Sequence, residues 1–83
     1  MTITFPDTNP DIIKIERGRT YYVSANAGDL TIKRKALNGS YIEVEGSPVT
    51  DGQEKFLLTF SSDDTLEITP SATNTELVLE KKE

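Results

Sequence analysis

Apolar and polar residues alternate along most of this chain, in short segments separated by turn-forming residues. The clearest alternations lie at 20–25, 29–35, 41–45, 54–60, 65–69 and 76–80. A period of two residues is the signature of a strand with one buried and one exposed face. No segment keeps an apolar period of three to four residues for the length of a helix. The pattern predicts a single small all-β domain, an antiparallel β-sandwich or jelly-roll-like fold of about seven or eight short strands.

The strongest local signal is a β-hairpin between residues 30 and 45. Two alternating segments, 30–35 and 41–45, flank Asn38-Gly39, a pair that tolerates positive φ. We expect either a two-residue type I′ turn or a slightly longer loop around 37–40. Later in the chain, Phe56, Leu58 and Phe60 are predicted to face the core, and residues 61–64 are predicted to form a turn.

The first eleven residues have a different character from the rest. A short strand-like segment, residues 2–5, is followed by Pro6-Asp-Thr-Asn-Pro10-Asp11, which is turn-forming throughout. We therefore predict an N-terminal arm or linker at 1–11 and a β-sandwich domain at 12–83. Such an arm becomes ordered only on binding, so it is a candidate docking element. Its candidate docking residues are Ile3, Phe5, Pro6 and Pro10.

The composition limits the ways in which so small a domain is stabilised. The chain has 83 residues, enough for one domain, and no Cys, His or Trp. Disulfides and thiolate zinc sites are therefore excluded, and small domains without them often depend on oligomerisation. We predict a homo-oligomer or a module that docks on a larger partner, with no cofactor and no metal.

Candidate catalytic residues are scarce. Nucleophilic catalysis usually relies on a histidine base, which this chain lacks. Glu43 and Glu45 share one side of a strand and are explained as a solvated face. The oxygen-bearing run 7–11 begins like a calcium loop, but Ile12 occupies the glycine position and Gly18 the position of the bidentate glutamate. We predict no catalytic residue and no enzymatic activity.

The charge and hydropathy of the chain bear on its partners and location. The net charge is −5, with a net +2 over residues 1–37 and −7 over 38–83. This asymmetry either orients head-to-tail packing of neighbouring copies or reflects two solvated faces that differ. An acidic chain is a poor ligand for nucleic acid. There is no signal peptide at the Met1 start and no long apolar run, so we expect a product of the cytoplasm that does not enter a membrane.

Three tyrosines are candidate surface aromatics. Tyr21 and Tyr22 are adjacent in a strand, so they point to opposite faces and at most one belongs to the core. The other, together with Tyr41, is expected to share an outer surface. Aromatic faces of this kind stack on sugars, which gives the alternative function of a small adhesion or carbohydrate-binding module that recognises a glycan.

The order of these segments resembles a pattern common in small virion proteins of tailed bacteriophages. In residues 18–44 a strand, a glycine turn, a Thr31-Ile-Lys-Arg34 strand and an Asn38-Gly-Ser-Tyr41 hairpin follow one another. Thr65-Leu-Glu-Ile-Thr-Pro-Ser-Ala-Thr73, followed by another strand, is similar to the C-terminal segment of those proteins. Tyr41 stands where the pattern frequently has tryptophan.

The resemblance implies a non-enzymatic virion component of the head decoration, head fibre or tail-associated type. It implies a capsid decoration or accessory protein that is a symmetric oligomer, docks on the major capsid protein or another virion protein, and resides in the virion. An immunoglobulin-like spacer from a larger bacterial surface assembly is a third alternative, which the Met1 start disfavours.

Overall fold

The computed structural model describes residues 1–54, 56–60 and 65–82 of the chain. Within these residues the chain forms strands and no helix, which confirms the predicted all-β class. The turn predicted at 61–64 and the side chain of Phe60 lie outside the described part. The strands are β1 (Thr2–Phe5), β2 (Asp11–Lys14), β3 (Arg19–Asn26), β4 (Leu30–Lys35), β5 (Tyr41–Glu43), β6 (Phe56–Phe60), β7 (Thr65–Pro70) and β8 (Thr75–Lys81).

The strands form two antiparallel sheets of four strands each. The first sheet has the order β1-β8-β3-β6, and the second has the order β2-β7-β4-β5. The chain crosses repeatedly from one sheet to the other, so neighbours in space are mostly distant in sequence. An eight-stranded sandwich wound in this order has the topology of a jelly roll. The predicted sandwich or jelly-roll-like fold is therefore confirmed.

The core lies between the two sheets and is built by the alternation that the sequence displays. Every second side chain of the inner strands points inward, so Val23, Ile32 and Leu77 are almost fully buried. Burial of such side chains stabilises the fold by about 1.5–3 kcal/mol each. The buried apolar residues are Phe5, Ile13, Tyr21, Val23, Ala25, Leu30, Ile32, Val49, Leu58, Leu66, Ile68, Leu77 and Leu79.

The N-terminal residues are not a free arm, which corrects the prediction made for residues 1–11. Thr2–Phe5 forms β1, the edge strand of the first sheet, in antiparallel register with β8. Phe5 is only 3% exposed in the core, and Ile3 packs against the same cluster. The turn-forming residues 6–10 carry the chain from the first sheet to β2 in the second. The prediction was wrong because the two prolines mark this crossing, and they do not separate an arm from a domain.

The predicted β4–β5 hairpin is present and uses the longer of the two expected loops. The Gly39 N–H donates to the Ala36 carbonyl oxygen at 3.0 Å, and the Ala36 N–H donates to the Ser40 carbonyl oxygen at 2.7 Å. Gly39 has a φ of 88°, in the left-handed region that glycine adopts without strain. This is a type I turn followed by a left-handed residue, a common three-residue hairpin connection.

The connection between β5 and β6 continues the edges of both sheets. Leu30 and Val49 exchange two backbone hydrogen bonds of 2.9 Å, so Val49 extends the line of β5 beside β4. Further along, the Gly52 N–H donates to the Ala25 carbonyl oxygen at 3.0 Å, beside β3. The connection therefore lies along the two sheets, and no strand of the described residues pairs with the outer edge of β6.

The strand order also mixes the basic and acidic halves of the sequence within each sheet. β1 to β4 come from the basic half of the sequence and β5 to β8 from the acidic half. In each sheet the two halves alternate strand by strand. Opposite charges therefore become cross-strand neighbours, such as Lys33 opposite Glu43 and Glu67. Neither half has a face of its own, so the sequence asymmetry gives no basis for head-to-tail packing.

Candidate interaction surfaces

The outward side of the first sheet is almost uncharged and rich in hydroxyl groups. We call it the hydroxyl face. Two hydrogen bonds lie across it, one of 3.1 Å between the Thr20 and Thr59 hydroxyls and one of 3.1 Å from Asn26 Nδ2 to Glu76 Oε1. Its outward residues are Thr2, Thr4, Thr20, Tyr22, Ser24, Asn26, Leu57, Thr59, Glu76, Val78 and Glu80.

Tyr22 and Leu57 form the apolar part of the hydroxyl face. They stand directly opposite each other in the register of β3 and β6. Tyr22 is half-buried, whereas Leu57 is 48% exposed although it sits in a strand. Cross-strand pairs of aromatic and aliphatic residues stabilise a sheet, yet this pair still exposes apolar surface to solvent. The face therefore presents a small apolar patch among neutral polar side chains.

The outward side of the second sheet is charged, and we call it the charged face. Lys33 lies between Glu67 of β7 and Glu43 of β5, and Ile12 of β2 extends the same row. The Glu43 carboxylate also accepts a 2.8 Å hydrogen bond from the Ser47 hydroxyl. Alternating charges across strands favour solvation and disfavour pairing with a second apolar surface.

The three candidate tyrosines do not come together. Tyr21 is the core member of the adjacent pair, as expected for one of the two, and its hydroxyl accepts a 2.9 Å hydrogen bond from the Glu16 N–H. Tyr22 lies on the hydroxyl face, while Tyr41 pairs with Lys35 on the charged face. The shared aromatic surface expected from the sequence is therefore absent, because the two strands belong to different sheets.

A groove of about 410 Å³ lies at the end of the sandwich where β2 and β8 finish. At its rim Glu16 accepts hydrogen bonds from Lys81 Nζ at 2.9 Å and from Arg19 Nε at 3.2 Å. These two cations hold the pKa of the Glu16 carboxyl below its ordinary value, the Lys81 hydrogen bond having the larger effect. The groove is lined by Met1, Lys14, Ile15, Glu16, Tyr21, Leu79, Glu80 and Lys81.

The predicted docking residues of the N-terminal segment divide between core and surface. Ile3 and Phe5 face the interior, whereas Pro6 and Pro10 are exposed in the crossing between the sheets. In that crossing the Asp7 carboxylate accepts a 3.0 Å hydrogen bond from the Asn9 N–H, which is the role of an Asx turn. Across the described residues, no three acidic side chains come close enough together to hold a metal ion.

Sequence reasoning missed the hydroxyl face. Its residues come from four strands that are far apart along the chain, so no local motif marks it. The available signal was the residue type at the polar positions of the alternation, where Thr2, Thr4, Thr20, Ser24 and Thr59 take the place of the usual Lys and Glu. The sheet order is what brings these positions onto one surface.

Comparison of the chain with protein-family models, with curated proteins and with solved structures found no match in any of the three. Nor does any helix long and apolar enough to cross a membrane occur in residues 1–54, 56–60 and 65–82.

Proposed function

We propose that this chain is a non-enzymatic structural protein of a bacteriophage particle, a capsid decoration or accessory protein. It acts by self-association and by docking on the major capsid protein or another virion protein. It is made in the host cytoplasm and functions in the virion. The proposal joins the sequence resemblance described above with the character of the molecular surface.

The observation that supports docking most directly is the hydroxyl face. The outward strand residues of this face, within the described ranges, include two carboxylates and no lysine or arginine, so little charge is desolvated when they are covered. Tyr22 is the type of residue that anchors protein interfaces, since it buries a large area and keeps a polar tip. Threonine and serine hydroxyls supply hydrogen bonds at its rim.

Repetition on a particle makes a weak contact sufficient. When many copies are held on one lattice, the second and later contacts of each assembly become intramolecular, and overall binding far exceeds that of one contact. A domain of this size has room for only a small face on each side, with Cα extents of 30 × 28 × 19 Å. Lattice docking suits such a domain better than a single tight interface does.

The glycan-binding alternative loses its main support with the separation of Tyr22 from Tyr41. A sugar platform in β domains usually needs more than one aromatic ring on the same surface. Here each outward face carries one tyrosine.

The test is to ask whether the chain is present in particles and which face holds it there. Particles of the phage that encodes this chain are purified on a density gradient. Mass spectrometry then measures the ratio of this chain to the major capsid protein. We expect a fixed ratio. Purified Ser24→Arg protein, which changes the hydroxyl face, should fail to bind particles stripped of the chain.

The matched control is Thr31→Arg, which adds the same charge at a central position of the charged face. Thr31 lies on an inner strand, as Ser24 does, and points outward from the opposite sheet. We expect Thr31→Arg to bind like the unaltered chain. Absence of the chain from purified particles would overturn the proposal, and equal binding by both variants would overturn the docking role of the hydroxyl face.

A further inference from the structure

We propose that two copies of this chain associate by antiparallel pairing of their β6 strands, which joins the two first sheets into one continuous eight-stranded sheet. The inference deepens the self-association part of the proposed function by naming the edge and the partner, a second copy of the chain. It rests on the direction of backbone groups in β6, on the residue types of that strand and on the surface beside it.

Backbone hydrogen bonds around β3 show which groups of β6 face outward. The Thr20 carbonyl oxygen accepts from the Lys82 N–H at 2.7 Å, so Thr20 directs its backbone groups toward β8. Ala25 directs its own groups to the other side, toward Gln53. Because direction alternates along a strand, Tyr21 and Val23 bond to β6.

The partners of Tyr21 and Val23 in the β3–β6 register are Leu58 and Phe56. These residues therefore direct their N–H and carbonyl groups toward β3. Leu57 and Thr59 direct theirs away from the sheet, and no strand in the described residues pairs with β6 on that side. The edge thus offers two donors and two acceptors in a regular array.

The five residues of β6 carry no charge, no proline and no break in register, which are common safeguards against edge pairing. Natural edge strands carry charges, prolines or bulges, or are very short. β6 reads Phe-Leu-Leu-Thr-Phe, with neither a charge nor a proline in five residues. By contrast, β2 has a charge at each end, β5 has only three residues, and β1 presents two threonines followed by Pro6.

Leu57 explains why a second copy fits this edge. If the two β6 strands pair about Leu58, Leu57 of each copy forms a hydrogen-bonded pair with Thr59 of the other. This register satisfies all four outward backbone groups of Leu57 and Thr59 in each copy. It also places the two Leu57 side chains diagonally across the junction, about 7–8 Å apart at most.

The junction continues an apolar strip that already exists in each copy. Tyr22 stands beside Leu57 on the hydroxyl face. Pairing therefore creates a strip from Tyr22 through both Leu57 side chains to the second Tyr22, and removes part of the 48% exposure of Leu57. The contact is isologous and closes as a twofold dimer, which is the commonest symmetry of protein oligomers. It also doubles the width of the proposed docking face.

The edge is tested by two matched proline variants and sedimentation velocity. Thr59→Pro removes an N–H that points away from β3 and that pairs with no strand of the described residues, so the fold should tolerate it. Thr4→Pro is the matched control, because it removes an outward N–H from β1 on the opposite edge of the first sheet. Met1 and Phe5 form backbone hydrogen bonds with Leu79 and Asn74. Since direction alternates along a strand, the Thr4 N–H points away from β8. Measurements cover about a hundredfold range of concentration.

We expect a reversible dimer for the unaltered chain and for Thr4→Pro, and self-association at least about tenfold weaker for Thr59→Pro. A thermal unfolding curve for each variant verifies that it is folded. A monomer at every concentration for the unaltered chain would overturn the inference, as would equal weakening by both prolines.

Disulfide trapping tests the register independently of the prolines. The chain has no cysteine, so single introduced cysteines report one position each. A hydrogen-bonded antiparallel pair has Cα atoms about 5.5 Å apart, within the range of disulfides. Mixed Leu57→Cys and Thr59→Cys proteins should cross-link faster than either alone. Equal rates for the mixture and for each single variant would contradict the register.

These experiments separate the dimer from the proposed function. A chain that is present in particles but shows no β6-dependent dimer keeps the virion role and loses the pairing. A chain that dimerises through β6 but is absent from particles keeps the pairing and loses the virion role.

Discussion

Glu16 and Lys81 stand 65 positions apart in the sequence, yet Lys81 Nζ donates a 2.9 Å hydrogen bond to Glu16 Oε2. Arg19 Nε donates to the other carboxylate oxygen at 3.2 Å. The contact ties the connection after β2 to the last residue of β8, so it joins the two sheets at the end where the groove opens. Both partners of the Lys81 pair are exposed enough for solvent to screen the interaction.

The lowered pKa of Glu16 predicts how stability changes with pH. The unfolded chain binds a proton at this carboxyl near its ordinary pKa of 4.5, whereas the folded chain binds it only at lower pH. The contribution is therefore fully present above about 4.5 and is lost as the pH falls through the folded value. We expect Glu16→Gln to be slightly less stable at neutral pH and to converge with the unaltered chain in acid.

Urea unfolding measured from neutral to acid pH tests this expectation. Glu45→Gln is the charge-matched control, since Glu45 is exposed in the connection after β5. Parallel stability profiles for Glu16→Gln and the unaltered chain would show that the Lys81 contact contributes nothing.

Because Phe5 is buried in the core, the N-terminal segment should contribute to the stability of the domain. Its side chain is 3% exposed among core residues. Phe5→Ala should lower the free energy of unfolding by about 3 kcal/mol or more, a large share of the stability of a small domain. Pro6→Ala, at an exposed neighbour, should change it by about 0.5 kcal/mol or less. Denaturant unfolding measures both, and an unaffected Phe5→Ala would restore the detachable arm.

The strands were predictable because the alternation of β3, β4, β7 and β8 is regular and each inner strand has one buried face. Asn38-Gly39 located the hairpin because its left-handed glycine is a local requirement. Sheet order was not predictable, since it depends on which distant strands bury each other. That missing information is also why Tyr22 and Tyr41 were expected on one surface.

The error at the N-terminus has a different physical origin. Pro6 and Pro10 do break the strand pattern, as the sequence indicates. Such a break does not show whether the residues before it pack against the core. Phe5 carried the relevant signal, because a large aromatic side chain at the end of an alternating segment is more often buried than free. The edge position of β6 was hidden for a related reason: an uncharged strand is typical of an inner position, so the residues of β6 do not indicate an edge.

Gly46 predicts a stability difference between two glycines with similar backbone angles. Gly46 and Gly39 have φ values of 93° and 88°. A Cβ at Gly46 would collide with the Phe56 ring, whereas one at Gly39 would meet open space. Gly39→Ala should therefore cost about 1 kcal/mol for the backbone alone, and Gly46→Ala about 2–4 kcal/mol. Equal losses in thermal or denaturant unfolding would mean that the Phe56 ring moves aside freely.

Removal of the Ser47 hydroxyl should have a local effect that is measurable as hydrogen exchange at the Ile32 amide. Its hydroxyl accepts a 2.9 Å hydrogen bond from the N–H of buried Ile32 and donates one of 2.8 Å to Glu43. Ser47→Ala leaves the Ile32 N–H without that acceptor, and an unsatisfied buried donor costs about 1–3 kcal/mol. We expect a loss of that size in urea unfolding, together with faster hydrogen exchange at the Ile32 amide. Ser40→Ala, at an exposed position of the hairpin, should change neither quantity. If Ser47→Ala left hydrogen exchange at Ile32 unchanged, the hydrogen bond between Ser47 and Ile32 would have no role in holding the β5–β6 connection against β4.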